Sequence, residues 1–154
     1  MTDDISPCVL ALPLPAFLRA ARNVYSVVIR KALAEVDCDD MPRNGVYVIG
    51  AIARTGAPLS QIIKELGVSK QVAGQVVDAL VLRGYIERTV DPEDRRRLNV
   101  TLTERGKAAA AAARKAVDGL EAELTTRVGV DYLAHAKATL AALIDYHEQN
   151  GLGG

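Results

Sequence analysis

A chain of 154 residues with 49% hydrophobic and 25% charged side chains can form one domain with a real core, or one domain carrying a helical extension. Nineteen basic residues balance nineteen acidic ones, which excludes a partner held by a global basic or acidic field; any nucleic-acid contact must rest on locally placed cations. No apolar run approaches the roughly 18 to 20 residues that span a bilayer, and the acidic start Met1-Thr2-Asp3-Asp4 lacks the basic region of a signal peptide, so a cytoplasmic protein with no membrane partner is expected.

Pro7, Pro13 and Pro15 exclude a continuous helix at the start, and an irregular arm is expected over 1–14. From 16 to about 36 the pattern turns helical. Phe17, Leu18, Ala21, Val24, Tyr25, Val28, Ile29, Ala32 and Leu33 recur at spacings of three and four, with Arg19, Arg22, Asn23, Arg30 and Lys31 between them. The acidic run Asp37-Cys38-Asp39-Asp40 reads as a turn. Pro42 fits the first turn of a second helix, where its missing N–H costs nothing, and Gly56 suits its C-cap. Ser60 can cap a third helix that ends at Gly67, and Ser69 caps a fourth. Leu66-Gly67-Val68-Ser69 is then the tight, glycine-containing connection of a helix-turn-helix.

The fourth helix is read with Val72, Ala73, Val76, Val77 and Leu80 on its inner face and Lys70, Gln71, Gly74 and Gln75 outside. Arg83-Gly84 closes it. Residues 85–90 and 98–102 alternate apolar and polar side chains, and Asp91-Pro92-Glu93-Asp94 between them has turn chemistry, so a hairpin with a charged tip follows. Thr103 caps a long alanine-rich helix, Gly129 breaks it, and Asp131 opens a last helix bearing Leu133, Leu140, Leu143 and Ile144. The fold class is thus mainly α with one small β-hairpin.

A helix whose N-terminal residues can enter a major groove, beside a hairpin that can reach a minor groove, is the outline of a winged helix-turn-helix. Ser69, Lys70, Gln71 and Gln75 are the candidate DNA contacts on the helix: glutamine pairs bidentately with adenine, and lysine favours guanine or phosphate. At the hairpin stand Arg95, Arg96 and Arg97, and the planar, weakly hydrated guanidinium suits the concentrated negative potential of a narrow minor groove. Asp94 is close enough in sequence to orient Arg96. Successive strand residues point to opposite faces, so the three arginines cannot all meet one surface.

Helix, helix-turn-helix, Arg83-Gly84-Tyr85-Ile86-Glu87-Arg88, then Asp94, Arg96, Val100, Leu102-Thr103 and Gly106: this order resembles the MarR family of bacterial winged-helix regulators, from about residue 16 to 148. The resemblance implies a single domain over 1–154. An arm and dimerisation helix would occupy 1–40, the DNA-binding lobe 41–103 and C-terminal dimerisation helices 104–154. It further implies a homodimer on a pseudo-palindromic operator in double-stranded DNA, with Arg96 in the minor groove and Asp94 orienting it. Gly74 and Gln75 stand where members often carry Ser or Thr followed by Arg, and Ala79 where a basic residue is common, which leaves this recognition helix arginine-poor. The terminal helices also carry more apolar surface than so small a lobe could cover, an independent pointer to a partner copy.

Relatives of this kind are often repressors released by a small aromatic effector; Arg22, Tyr25 and Tyr47, each with an apolar body and a polar tip, are the candidate effector-binding residues. No metal or cofactor is called for, since His135 and His147 have no ligand spacing and the two cysteines no Cys-x-x-Cys pattern. Acidic neighbours around Cys38 disfavour a thiolate switch, and the distant Cys8 and Cys38 disfavour a disulfide. No phosphate-binding glycine loop or Ser/His/Asp arrangement points to an enzyme. The rival reading is a winged-helix dimer that acts as a protein-interaction module with weak or no operator binding.

Overall fold

The fold is given by a computed structural model that describes residues 11–56, 61–63, 69–90 and 98–149. Its elements are α1 (Leu14–Ala34), α2 (Gly45–Thr55), α3 (Lys70–Leu82), β1 (Ile86–Val90), β2 (Leu98–Leu102), α4 (Glu104–Val128) and α5 (Val130–Gln149). The expected fold class is the one observed: helices throughout, and one two-stranded antiparallel sheet. Residues 61–63 are helical too, while the turn expected over 66–68 and the charged hairpin tip lie outside the described residues.

Two helix starts differ from expectation. The first helix begins at Leu14, not Ala16, because Pro15 falls in the opening turn, where a proline needs no N–H partner; the Pro13 carbonyl accepts from the Ala16 amide at 2.9 Å. Pro42 lies ahead of α2 instead of inside it. Its carbonyl accepts from the Gly45 N–H at 2.8 Å, forming a turn that leads through Asn44 in the left-handed region (φ 66°) into the helix. The Gly56 C-cap is as expected, with φ 57° and its N–H on the Ile52 carbonyl at 3.1 Å.

Contacts gather the chain into two compact units, one over 29–116 and one formed by 1–28 with 117–154. In the first, Leu33, Cys38, Val48, Ile49, Ile62, Val77, Leu80, Tyr85, Ile86 and Ala109 make one core, with Val100 and Leu102 of β2 packed against it. The strands pair from Ile86 opposite Leu102 to Val90 opposite Leu98, which turns Ile86 and Leu102 inward at the base of the hairpin. In the second unit Lys137 of α5 bonds Glu121 of α4 at 2.5 Å. The apolar side chains of α5 stay uncovered there, with Tyr132, Leu143, Ile144 and Tyr146 all exposed.

Two glycines are fixed by close approach. A Cβ on Gly106 would stand 1.9 Å from the Tyr85 carbonyl oxygen, and one on Gly45 would meet Met41 Sδ at 2.8 Å and Pro42 Cγ at 2.9 Å. Gly106 lets the first turn of α4 lie directly on the base of the hairpin. Thr103 stitches the same junction. Its N–H donates to the Tyr85 carbonyl at 3.1 Å, its hydroxyl donates to the Gly84 carbonyl at 2.6 Å, and its Oγ1 accepts from the Gly106 N–H at 3.0 Å as the expected helix cap.

Candidate DNA-binding site

The N-terminus of α3 is set by Ser69, whose extended backbone (φ −61°, ψ 152°) and hydroxyl oxygen, accepting from the Val72 N–H at 3.3 Å, make the cap expected from the sequence. The cap occupies an acceptor position only, so the Ser69 O–H remains a donor toward an approaching phosphate. Ala73, Val76, Val77 and Leu80 fill the core and hold the helix by its inner face. Ser69, Lys70, Gln71 and Gln75 are all exposed at its N-terminal end, where the helix dipole and free backbone N–H groups favour anions. Four of the eight candidate contacts thus share one accessible surface. The other four, Asp94, Arg95, Arg96 and Arg97, lie outside the described residues.

Val72 departs from the sequence reading. Its polarity and spacing place it on the inner face, yet it is 40% exposed. Each residue turns the helix by about 100°, and the buried stripe is centred near Ala73 and Leu80, so Val72 falls off its edge onto the flank beside Gln75. Gly74, between them in sequence, shows no need for glycine in its own surroundings: a Cβ there meets nothing within 4 Å among the described residues. A helix-interior glycine is nonetheless about 1 kcal/mol less favourable than alanine.

One turn beyond Gln75, Asp78 is exposed and would repel a phosphate, but Arg88 of β1 bonds it at 2.5 Å. Both side chains are well solvated, so the pair contributes under about 1 kcal/mol. Its consequence is electrostatic: the carboxylate on the outer face is neutralised, and the first strand of the hairpin is tied to the helix. On the neighbouring strand, Thr101 donates to Glu87 across the ladder at 3.3 Å.

Behind this surface lies a cluster that the sequence reading misses. The helices α1 and α3 end in the same way. Asp37 (φ 55°) and Gly84 (φ 70°) take the left-handed conformation. Cys38 N–H then reaches back to Leu33 O, and Tyr85 N–H to Leu80 O, both at 2.9 Å. These twin terminations drive the residue after each bend, Cys38 and Tyr85, into the core at 1% and 0% exposure. The Tyr85 hydroxyl donates to Asp40 Oδ1, and Arg83 donates to the Asp40 carbonyl. Arg105, from the first turn of α4, closes the group. It stacks over the Tyr85 ring at 4.3 Å and donates to Asp40 Oδ1 at 2.8 Å, to the Asp37 carbonyl at 3.0 Å and to the Arg83 carbonyl at 2.5 Å.

The donated Tyr85 hydrogen bond, and secondarily Arg105, hold the Asp40 carboxyl below its usual range. Burial first, then the bonds to Asp40 and Cys38, push the Tyr85 phenol above its usual value. Asp37 and Asp40, read in sequence only as a turn, are the acceptors that join two helix ends to α4. Replacing Arg105 with methionine, which keeps a stem over the ring but no donors, is expected to lower the melting temperature by a few degrees, the scale of one or two partly exposed charge-assisted hydrogen bonds. An unchanged melting curve would show that the guanidinium is dispensable.

The effector candidates fall in two places. Arg22 and Tyr25 are one turn apart on α1 in the unit formed by 1–28 with 117–154, where burial, then the negative charge of Glu121, raises the Tyr25 phenol pKa against an opposing pull from Lys137. Tyr47, on α2 in the other unit, is 52% exposed. Among the described residues no group of three His, Cys, Asp or Glu side chains could hold a metal ion, and no helix is long and apolar enough to cross a membrane.

A recognition helix capped by serine, with an antiparallel hairpin at its C-terminal end and a long helix behind, defines a winged helix-turn-helix protein. Residues 39–97 match the model of the MarR family. Solved structures agree along nearly the whole chain. The transcriptional repressor CouR, solved bound to a 23-mer DNA duplex, is 27% identical, with 92% of this chain and 99% of CouR covered and a TM-score of 0.67. The reduced form of MarR from E. coli is 23% identical over 86% of this chain and 96% of its own, with a TM-score of 0.64. A MepR mutant from S. aureus, bound to an oligodeoxyribonucleotide, is 20% identical over 88% and 98%, at 0.52. None of the curated proteins is a significant match. The MarR-family match thus lies on residues 39–97, and along most of the chain the fold is that of the solved MarR-type regulators.

Proposed function

We propose that the protein is a sequence-specific, DNA-binding transcription regulator that works in the cytoplasm as a homodimer on a pseudo-palindromic operator. The observation that carries this reading is the accessible N-terminal face of α3, where Ser69, Lys70, Gln71 and Gln75 stand together over a buried inner stripe. The likeness to CouR, whose structure holds a DNA duplex, supports it. Arg96 and Asp94 serve the minor groove in this reading, and Arg95 and Arg97 the flanking phosphates.

Selection of bound duplexes from a random pool tests the proposal directly. Enrichment of an inverted-repeat sequence is the expected outcome; no enrichment would transfer weight to the protein-interaction reading, which the near-neutral charge balance and the arginine-poor helix favour. On the enriched duplex, Gln75→Ala is expected to change the ranking of operator variants, whereas Arg96→Ala is expected to weaken binding to all of them. The slope of log affinity against log salt should fall by about 1 for each subunit carrying Arg96→Ala. An unchanged slope would remove Arg96 from the DNA contact.

The homodimer reading rests on the uncovered apolar side chains of Val24 and Val27 on α1 and of Leu143, Ile144 and Tyr146 on α5. Light scattering at micromolar concentration is expected to give twice the chain mass. The repressor role follows CouR's description, and release by a small aromatic compound would use Arg22, Tyr25 and Tyr47. Thermal-shift titration with phenolic acids, with Tyr25→Phe as the control, is the test of that last step.

A further inference from the structure

Resting on the DNA-binding reading above, we infer that Gln71, Val72 and Gln75 form an edge that reads A·T pairs, with Val72 packing on the C5-methyl of a thymine. Gln75 lies four residues from Gln71 and three from Val72 along α3, and all three are exposed. Side chains so spaced stand about 5–6 Å apart at Cβ, while successive base pairs rise by about 3.4 Å, so neighbours on this edge meet bases one to two steps apart. Both glutamines offer the amide oxygen and nitrogen that match adenine N6 and N7. Of the four base-edge patterns in the major groove, only thymine also displays a methyl group, and Val72 is the exposed apolar side chain beside Gln75.

Val72 lies outside the buried stripe of Ala73, Val76, Val77 and Leu80 and keeps 40% of its surface exposed. Gly74 completes the arrangement. It carries no side chain on the flank away from Val72, and the described structure leaves open space at that point. With no side chain on that flank, nothing at Gly74 props the helix off the opposite groove wall, and the outer edge of Gln71 and Gln75 can seat deeper between the walls. The outer-face carboxylate of Asp78, which would otherwise accept from cytosine, is engaged by Arg88. The edge therefore favours adenine and thymine over cytosine on two counts.

The test uses the full-length protein and the duplex enriched from the random pool. Each thymine of the half-site is replaced in turn by deoxyuridine, which removes only the C5-methyl. With the wild-type protein, at least one position per half-site is expected to bind about fourfold more weakly, the scale of one buried methylene-sized group. Val72→Ala, at an exposed position that leaves the fold intact by its melting curve, is expected to abolish that difference, and Val72→Ile to retain it. Equal binding of every deoxyuridine duplex by the wild type would overturn the inference while leaving DNA binding standing. Sensitivity that persists undiminished in Val72→Ala would overturn it as well. If no duplex is enriched at all, the DNA-binding reading falls and takes this inference with it.

Discussion

Replacing Gly106 with alanine is expected to destabilise the fold by about 3 kcal/mol or more, at the upper end of overpacking substitutions. A single methyl group is added, but it would stand 1.9 Å from the Tyr85 carbonyl oxygen, with the Tyr85 carbonyl carbon at 3.0 Å and Leu102 Cδ2 at 3.3 Å. A clash with a flexible side-chain end could be absorbed by rotation. Here the obstacle is backbone, and that same oxygen already accepts the Thr103 N–H. Relief therefore means lifting the first turn of α4 off the hairpin base, which breaks the Thr103 bonds to residues 84 and 85 together. For a chain of this size the melting temperature should fall by roughly 10 °C. Gly119, also inside α4, is the matched control: the methyl of Gly119→Ala would meet nothing within 4 Å among the described residues. Equal melting temperatures for the two variants would show that the junction has slack.

Tyr85→Phe is the second large effect, expected to cost about 2 kcal/mol at neutral pH, the scale of a hydrogen bond to a charged partner. It removes the phenol that donates to Asp40 while leaving the buried ring. The pH dependence separates this bond from simple packing. Tyr85 has its phenol pKa raised in the fold, so the proton is bound more tightly there than in the unfolded chain. That contribution is fully present below the ordinary phenol value near 10 and is lost as pH rises beyond it toward the raised value. Asp40 has the opposite sign. Its carboxyl is held down in the fold, so its contribution is present above the ordinary value of 3.8 and is lost as pH falls below it. Melting temperatures across pH 3 to 11 should thus decline at both ends, and Tyr85→Phe should flatten the alkaline limb. A parallel alkaline decline in the variant would mean that Tyr85 does not carry it.

Most of the element order is legible in the sequence because it rests on local rules. Ser69, Gly56 and Thr103 act within a few residues of themselves, so their capping roles follow from residue type and spacing. Tyr85, Asp40 and Arg105 are different. Tyr85 and Asp40 are 45 residues apart, and Arg105 and Asp40 are 65 apart. No periodicity encodes such a meeting; it arises because two helices end in the same left-handed bend and deliver their next residues to one place. The one hint is Asp37, an acidic residue at a helix end, where aspartate is among the few non-glycine types that tolerate positive φ. Val72 shows the reverse error. Polarity and helical spacing alone put this valine in the core, when its angle to the buried stripe places it on the flank. The helix α3 is legible from its cap and spacing, but which of its side chains lie on the open flank depends on that angle.

The hairpin register has a consequence for how such a protein diversifies. Val90 and Leu98 stand opposite each other at the end of the ladder, so the chain leaves and re-enters at matched positions. Pairing below that point is fixed by Ile86 against Leu102, inside the core. The register of the two strands is thus set from the core end, and a change of length or charge between Val90 and Leu98 is expected to leave every strand side chain on its own face. Under the proposed function, grip on DNA could be retuned by exchanging 91–97 while α3 stays untouched.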